Sequence, residues 1–157
     1  MIKVLFICHG NICRSPMAEM YFTHLVCQHN LEHEFFVASA ATSREEIGNG
    51  IHRGTRNKLA QMGIPCGEHR AVQMTRADYD SYDYLIGMDE ANIRNMQRIT
   101  GGDPDGKMHL LLSFAGRSGS IADPWYTGNF DETFRDVAEG CNALLQHIRK
   151  AGTTCKY

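Results

Sequence analysis

The stretch Ile2-Lys3-Val4-Leu5-Phe6-Ile7, then Cys8-His9-Gly10-Asn11-Ile12-Cys13-Arg14-Ser15-Pro16, then Met17-Ala18-Glu19-Met20-Tyr21-Phe22, decides the fold. A short apolar run bounded by a glycine-containing loop reads as a buried strand, and the residues from Pro16 onward read as the opening of a helix. A thiol, five intervening residues and an arginine therefore occupy a tight turn between a strand and a helix N-terminus. Such a turn directs backbone N–H groups inward around a small anion, and the helix dipole adds positive potential at the same point. The same dipoles, with Arg14, favour negative charge on the Cys8 sulfur.

Each member of the loop has a chemical use. Cys8 is placed to attack phosphorus in line and carry a phosphocysteine, dividing one difficult displacement into two. The planar fork of Arg14 suits two equatorial oxygens of a phosphoryl group. His9, Asn11, Ile12 and Cys13 complete the cradle, and Gly10 is expected to take dihedrals closed to other residues. Ser15 is expected at the helix N-cap with Pro16 at the first helical position, where a missing N–H costs nothing. The Ser15 hydroxyl could equally donate to the Cys8 sulfur. Zinc ligation by Cys8, Cys13 and His9 competes poorly, because a lone CxxxxC has no matching second pair, and no metal is expected.

Cleavage of a phosphate ester needs a proton for the departing oxygen. The candidate is Asp123, in Ile121-Ala122-Asp123-Pro124-Trp125-Tyr126. A residue ahead of proline is held extended, and the Gly/Ser-rich Gly116–Ser120 before it suggests a surface loop. Asp-Pro alone is a common turn; the Cys8 loop raises the functional reading above the structural one.

Together these motifs resemble the low-molecular-weight protein tyrosine phosphatase family. Cys8 through Pro16 matches its phosphate loop and Asp123-Pro124-Trp125-Tyr126 its acid motif. Further matches are Ser39-Ala40-Ala41-Thr42-Ser43, Gly63-Ile64-Pro65 and Gly87-Met88-Asp89-Glu90-Ala91-Asn92, so the likeness runs from Ile2 to about Ile148. The resemblance implies a nucleophile at Cys8, phosphoryl binding at Arg14, and an acid that becomes a base at Asp123. It implies a supporting network of Asn11, Ser15, Ser39 and His69, although a lone histidine after a loop is more often a solvated surface residue. It implies phosphotyrosine proteins as substrates, inorganic phosphate as product or inhibitor, and no cofactor. Cys13 is either the redox partner of Cys8, as the family implies, or a small residue packed under the loop.

Trp125 and Tyr126 are expected to form one wall of the substrate cleft. Glu45 stands where the family often has an aromatic, so the second wall is charged, and His9 stands at the rim where many members have leucine. Glu45 and Glu46 should then favour neutral or basic flanks around the phosphorylated residue.

The chain of 157 residues is long enough for one core and short for two, so a single domain over 1–157 is expected, with a frayed tail from 151. A net charge of −2 offers no electrostatic case for nucleic acid or membranes. The apolar runs are strand-sized, and the first strand begins almost at once, leaving no room for a signal peptide. The six cysteines, at 8, 13, 27, 66, 141 and 155, accordingly read as reduced cytoplasmic thiols, and a monomer is expected.

Beyond the first helix, Phe35–Ala38 reads as a second strand, 55–62 as a helix stopped at Gly63-Ile64-Pro65, Tyr84–Ile86 as a third strand, and His109–Leu112 as a fourth. Asp89 reads as the cap of the helix that follows it rather than as a catalytic group. Phe134, Val137, Ala138, Cys141, Leu144, Leu145 and Ile148 fall at spacings of three and four, the core face of a last helix. The alternation predicts an α/β fold, a three-layer arrangement with helices on both faces of a twisted parallel sheet. The strand order 2-1-3-4 comes from the resemblance. It would put the loop at the carboxyl end of the first strand, where such sheets bind ligands.

Three rivals share parts of the pattern. An arsenate reductase of the same fold would pass oxidation to further cysteines after the third strand, yet residues 80–95 contain none. A non-catalytic phosphate-binding module would not require Cys8, Arg14 and Asp123 together. A phosphocysteine carrier would not need Arg14.

Overall fold

The computed structural model describes residues 1–154. Four parallel strands, β1 (Ile2–Cys8), β2 (Phe35–Ala41), β3 (Tyr84–Gly87) and β4 (Met108–Leu110), form one sheet in the order β2-β1-β3-β4. The helices are α1 (Arg14–Gln28), α2 (Arg53–Gln61), α3 (Arg76–Ser81), α4 (Glu90–Thr100), α5 (Pro124–Thr127) and α6 (Phe130–Thr154). β1 is central, pairing with β2 along Ile2–Cys8 and with β3 along Val4–Ile7. That is why its run is apolar without alternation: both faces are covered.

The pleat divides β1 between two cores. Val4, Phe6 and Cys8 face the larger one, with Met17 and Phe22 of α1 and Val137, Cys141 and Leu144 of α6. Leu5 and Ile7 face the other, with Tyr79 of α3 and Met96 of α4. The strand order and layers expected from the sequence are those observed. None of the helices among the described residues is long and apolar enough to cross a membrane.

Several local expectations need correction. β4 ends at Leu110, and Leu111 and Leu112 lie in a 3₁₀ turn, Leu111–Ala115, with both side chains buried. An apolar run suits a buried turn as well as a buried strand. The helix α3 was not expected. Its N-terminus is closed by Thr75 N–H donating to Asp78 Oδ2 at 2.8 Å, and six residues are too few to show a helical period. α1 begins two residues earlier than expected, so Cys13 is its N-cap and Ser15 lies inside the first turn. α6 continues to Thr154 through much of the stretch expected to fray, and 155–157 lie outside the described residues.

Close approach of α6 to the 3₁₀ turn depends on Gly140. A Cβ there would lie 2.5 Å from Leu111 Cγ, inside the core. Replacing glycine in a helix by alanine gains about 1 kcal/mol of propensity, whereas overpacking costs about 1–3 kcal/mol. Gly140→Ala should therefore be neutral at best and destabilising by up to about 2 kcal/mol in urea unfolding. Gly152→Ala in the same helix, where a Cβ meets nothing within 4 Å, should not destabilise.

Candidate active site

The loop between β1 and α1 is held by its carbonyls. His9 O accepts from Ser43 Oγ at 2.8 Å, Asn11 O from His69 Nε2 at 2.8 Å, Ile12 O from His52 N at 2.8 Å, and Cys13 O from Thr55 Oγ1 at 3.2 Å. With the carbonyls engaged outward, the N–H groups are left for the interior of the cup. Asn11 N–H donates to Cys8 Sγ at 3.2 Å, while those of Gly10, Ile12 and Cys13 have no acceptor among the described residues.

The left-handed residue of this loop is Asn11, with φ 60°, and not Gly10 as expected. Asparagine tolerates that region because its short amide bonds locally. The missing Cβ of Gly10 instead makes room for Glu46, whose Cγ would stand 3.3 Å from it.

Behind the sulfur, the expected network is assembled, and its proton directions can be deduced. Ser39 Oγ donates to Glu19 Oε1 at 2.5 Å. It must then accept from Asn11 Nδ2, at 2.9 Å. The second amide proton of Asn11 goes to Ser15 Oγ at 2.8 Å, and Asn11 Oδ1 accepts from Val72 N–H at 3.2 Å. The Ser15 hydroxyl proton remains for Cys8 Sγ, 3.0 Å away. Of the two roles open to Ser15, the structure thus selects the bond to sulfur over the helix cap.

Glu19 was missed by sequence reasoning, although it lies one turn beyond Ser15 on α1. Burial raises its pKa, against the opposing pull of Ser39 and His69. The Nδ1 atom of His69 lies 3.9 Å from Glu19. His69 is therefore a partner of the loop and not a solvated surface residue.

Arg14 is 3% exposed. Its Nη1 donates to Asp89 Oδ2 at 2.7 Å and to Ile121 O at 3.0 Å, and its Nη2 lies 3.4 Å from Asp123 Oδ2. Asp89 caps α4, accepting from Asn92 N–H at 2.8 Å, so the expected cap exists but is half of the role. Burial opposes the charge of Arg14; Cys8, Asp89 and Asp123 outweigh it and hold the guanidinium above its ordinary pKa.

Asp123 reaches the cup from beyond β4. Its Oδ1 caps α5 by accepting from Trp125 N–H at 3.0 Å, with Pro124 at the first helical position. This one-turn helix stands where an extended loop was expected. Trp125 and Tyr126 line the same cleft as Cys8, Arg14 and Asp123, with Ile12 also on its wall.

Glu45 and Glu46 also line the cleft, and Glu45 is not an isolated charge: its Oε2 meets His9 Nε2 at 2.9 Å. Cys13 is buried beside Cys8, and its thiol pKa is pushed up to about 12 by burial, Asp123 and Cys8.

The sequence matches the model of the low molecular weight phosphotyrosine protein phosphatases over residues 3–154. The chain belongs to that family. It is 40% identical to the low molecular weight protein-tyrosine-phosphatase YfkJ of Bacillus subtilis over 152 residues, 96% of this chain and 97% of that one. It is 37% identical to the human low molecular weight phosphotyrosine protein phosphatase, covering 92% and 94%. The crystal structure of the Bacillus subtilis protein superposes with a TM-score of 0.92 over 96% of each chain. Residues 8–15, 39, 69, 89 and 123 lie far apart in the sequence and are brought together by β1, β2 and the segments that follow β2, β3 and β4.

Asn11 concentrates the cost of this arrangement. Asn11→Ala would leave a buried alanine in a left-handed conformation, worth roughly 1–3 kcal/mol, and deprive Ser15, Ser39 and Val72 of a buried partner. Unfolding in urea should show a loss of about 3–5 kcal/mol, near the upper end for single substitutions. Asn11→Gly should recover the backbone part only.

Proposed function

We propose that the protein hydrolyses phosphotyrosine in proteins through a phosphocysteine intermediate. The observation that carries this reading is the Cys8 sulfur itself: an N–H and a hydroxyl proton are aimed at it from behind, beneath a loop whose N–H groups are free for an oxyanion. Cys8 attacks phosphorus as the P–O bond to tyrosine breaks, and Asp123 in its acid form delivers a proton to the departing oxygen. Water then attacks the phosphocysteine while Asp123 takes its proton, and phosphate leaves. Ser15 stabilises the thiolate that is released. Arg14, held in place by Asp89, grips two oxygens as charge shifts onto them.

Trp125 offers a flat face for the ring of phosphotyrosine, and the depth of the cup excludes the shorter phosphoserine. Because the Glu45 carboxylate is already engaged by His9 at 2.9 Å, the rim discriminates against acidic flanks chiefly through Glu46. Hydrolysis is favoured over a reductase reading by the other thiols. The cleft holds Cys8 and Cys13, while Cys141 is fully buried on α6, where burial raises its pKa strongly.

Cys8→Ser should abolish turnover while retaining phosphate affinity, measured by competition. Asp123→Asn should lose about two to four orders of magnitude on a phenyl ester of high leaving-group pKa, the usual worth of a positioned acid, and much less on a nitrophenyl ester. Equal losses on both would place the acid elsewhere.

The raised pKa of Cys13 keeps it a thiol near neutrality, so peroxide should oxidise Cys8 first, to a sulfenic acid. Cys13 can then displace water from that sulfur to give a disulfide. Peroxide-treated protein should regain activity with dithiothreitol, and Cys13→Ser should regain much less. Identical recovery would remove the protective role.

A further inference from the structure

His52 is joined to three parts of the site at once. Its backbone N–H bonds to Ile12 O of the phosphate loop at 2.8 Å. Its Nδ1 accepts from Gly54 N–H at 3.0 Å, capping α2. Its ring is stacked on Phe130, at the start of α6, with centroids 5.4 Å apart and planes at 16°. On its other side the ring meets Trp125 edge-on, at 5.5 Å and 77°. Room for the stack exists because residue 54 is glycine: a Cβ there would fall 2.2 Å from Phe130 Cζ.

Trp125 needs such a support. It is 57% exposed, and it belongs to a four-residue helix that is too short to hold itself. Yet the cap of that helix is Asp123, whose Oδ1 is bonded to the Trp125 N–H. Any rotation of the turn carrying Trp125 therefore moves the carboxyl. On the near side, Asp123 is tied to Arg14 by a single 3.4 Å contact.

We propose that His52 is a positioning residue for Asp123: its ring, clamped by Phe130, fixes Trp125 and the turn that carries the acid, and its backbone registers that clamp to the phosphate loop. The inference rests on the acid role given to Asp123 above. His52 touches neither substrate nor the reacting atoms. Its contribution is to keep the proton donor aligned with an oxygen whose position is set by the loop, where a misplacement near 1 Å can cost about a hundredfold.

The test separates ring from cap. His52→Asn keeps a good N-cap and removes the ring; His52→Phe keeps a ring and removes the cap. The measured quantity is kcat/KM across aryl phosphates of rising leaving-group pKa, with vanadate inhibition reporting the integrity of the cup and thermal melts reporting folding.

His52→Asn should lose about tenfold on the poorest leaving group and less than about twofold on nitrophenyl phosphate, with vanadate affinity unchanged, a fraction of what a general acid is worth. His52→Phe should melt earlier yet keep the wild-type dependence on leaving group. Gly54→Ala, which displaces Phe130 without altering His52, should reproduce the steeper dependence. An unchanged slope in His52→Asn, an even loss across all esters, or the same slope in His52→Phe as in His52→Asn would each overturn the proposal. Absence of a steep slope in Asp123→Asn would instead overturn the acid assignment on which it rests, so the two failures are distinguishable.

Discussion

One left-handed residue organises the catalytic loop. With φ at 60°, Asn11 turns its N–H toward the Cys8 sulfur and its carbonyl out to His69, so that the chain reverses direction beneath the cup. The same reversal sends its side chain inward, where both amide protons and the amide oxygen are bonded, to Ser15, Ser39 and Val72. Backbone strain at a functional loop persists only where the surroundings over-determine it, and here α1, β2 and the segment around Val72 each contribute a partner. An alternating chain of donors from Ser39 to Ser15 follows from that one orientation. It ends in a proton directed at sulfur, which is the position from which a thiolate leaving group is stabilised.

The second constraint is the burial of Arg14. A guanidinium withdrawn from water is tolerable only when paired and bonded, and Asp89 and Asp123 approach it from opposite ends of the fork. The two carboxylates are not equivalent. Asp89 follows β3 closely and caps a helix of eleven residues, whereas Asp123 caps a single turn at the rim. A rigid partner fixes the arginine, and a lightly held one fits the proton exchange proposed for Asp123. The asymmetry follows from the lengths of α4 and α5.

What could be read from the sequence divides along the same line. Cys8 through Arg14 lie in one continuous loop between a strand and a helix, so spacing alone exposes them. Asp123 stands out because proline and two aromatics follow it. The strand pattern gives the layers, since a continuous apolar run such as Val4–Ile7 requires cover on both faces. The partnership of Arg14 with Asp89 spans 75 positions and leaves no local trace, and Asp89 already satisfies a complete reading as a cap. Glu19 hides on a helix face that otherwise packs the core. Gly10 drew the left-handed conformation in prediction because glycine has the freer backbone, but the loop required a side chain at that corner, and only asparagine supplies both. The rule for a residue ahead of proline held for Asp123, which is extended, while Pro124 itself opens a helical turn, a position that proline suits.

The position of His52 shows how such a site is kept in register although its parts belong to different layers. The phosphate loop is fixed by β1 and α1, the acid by the segment entering α6, and no strand joins them. α2 crosses between the two, and its first residues are where loop carbonyl, aromatic stack and helix cap coincide. The ion pair of Lys58 with Asp131, at 2.7 Å, tethers the following turn of α2 to the same end of α6. Through the bond from Trp125 N–H to Asp123 Oδ1, the ring contacts of His52 extend to the carboxylate at the rim of the cup.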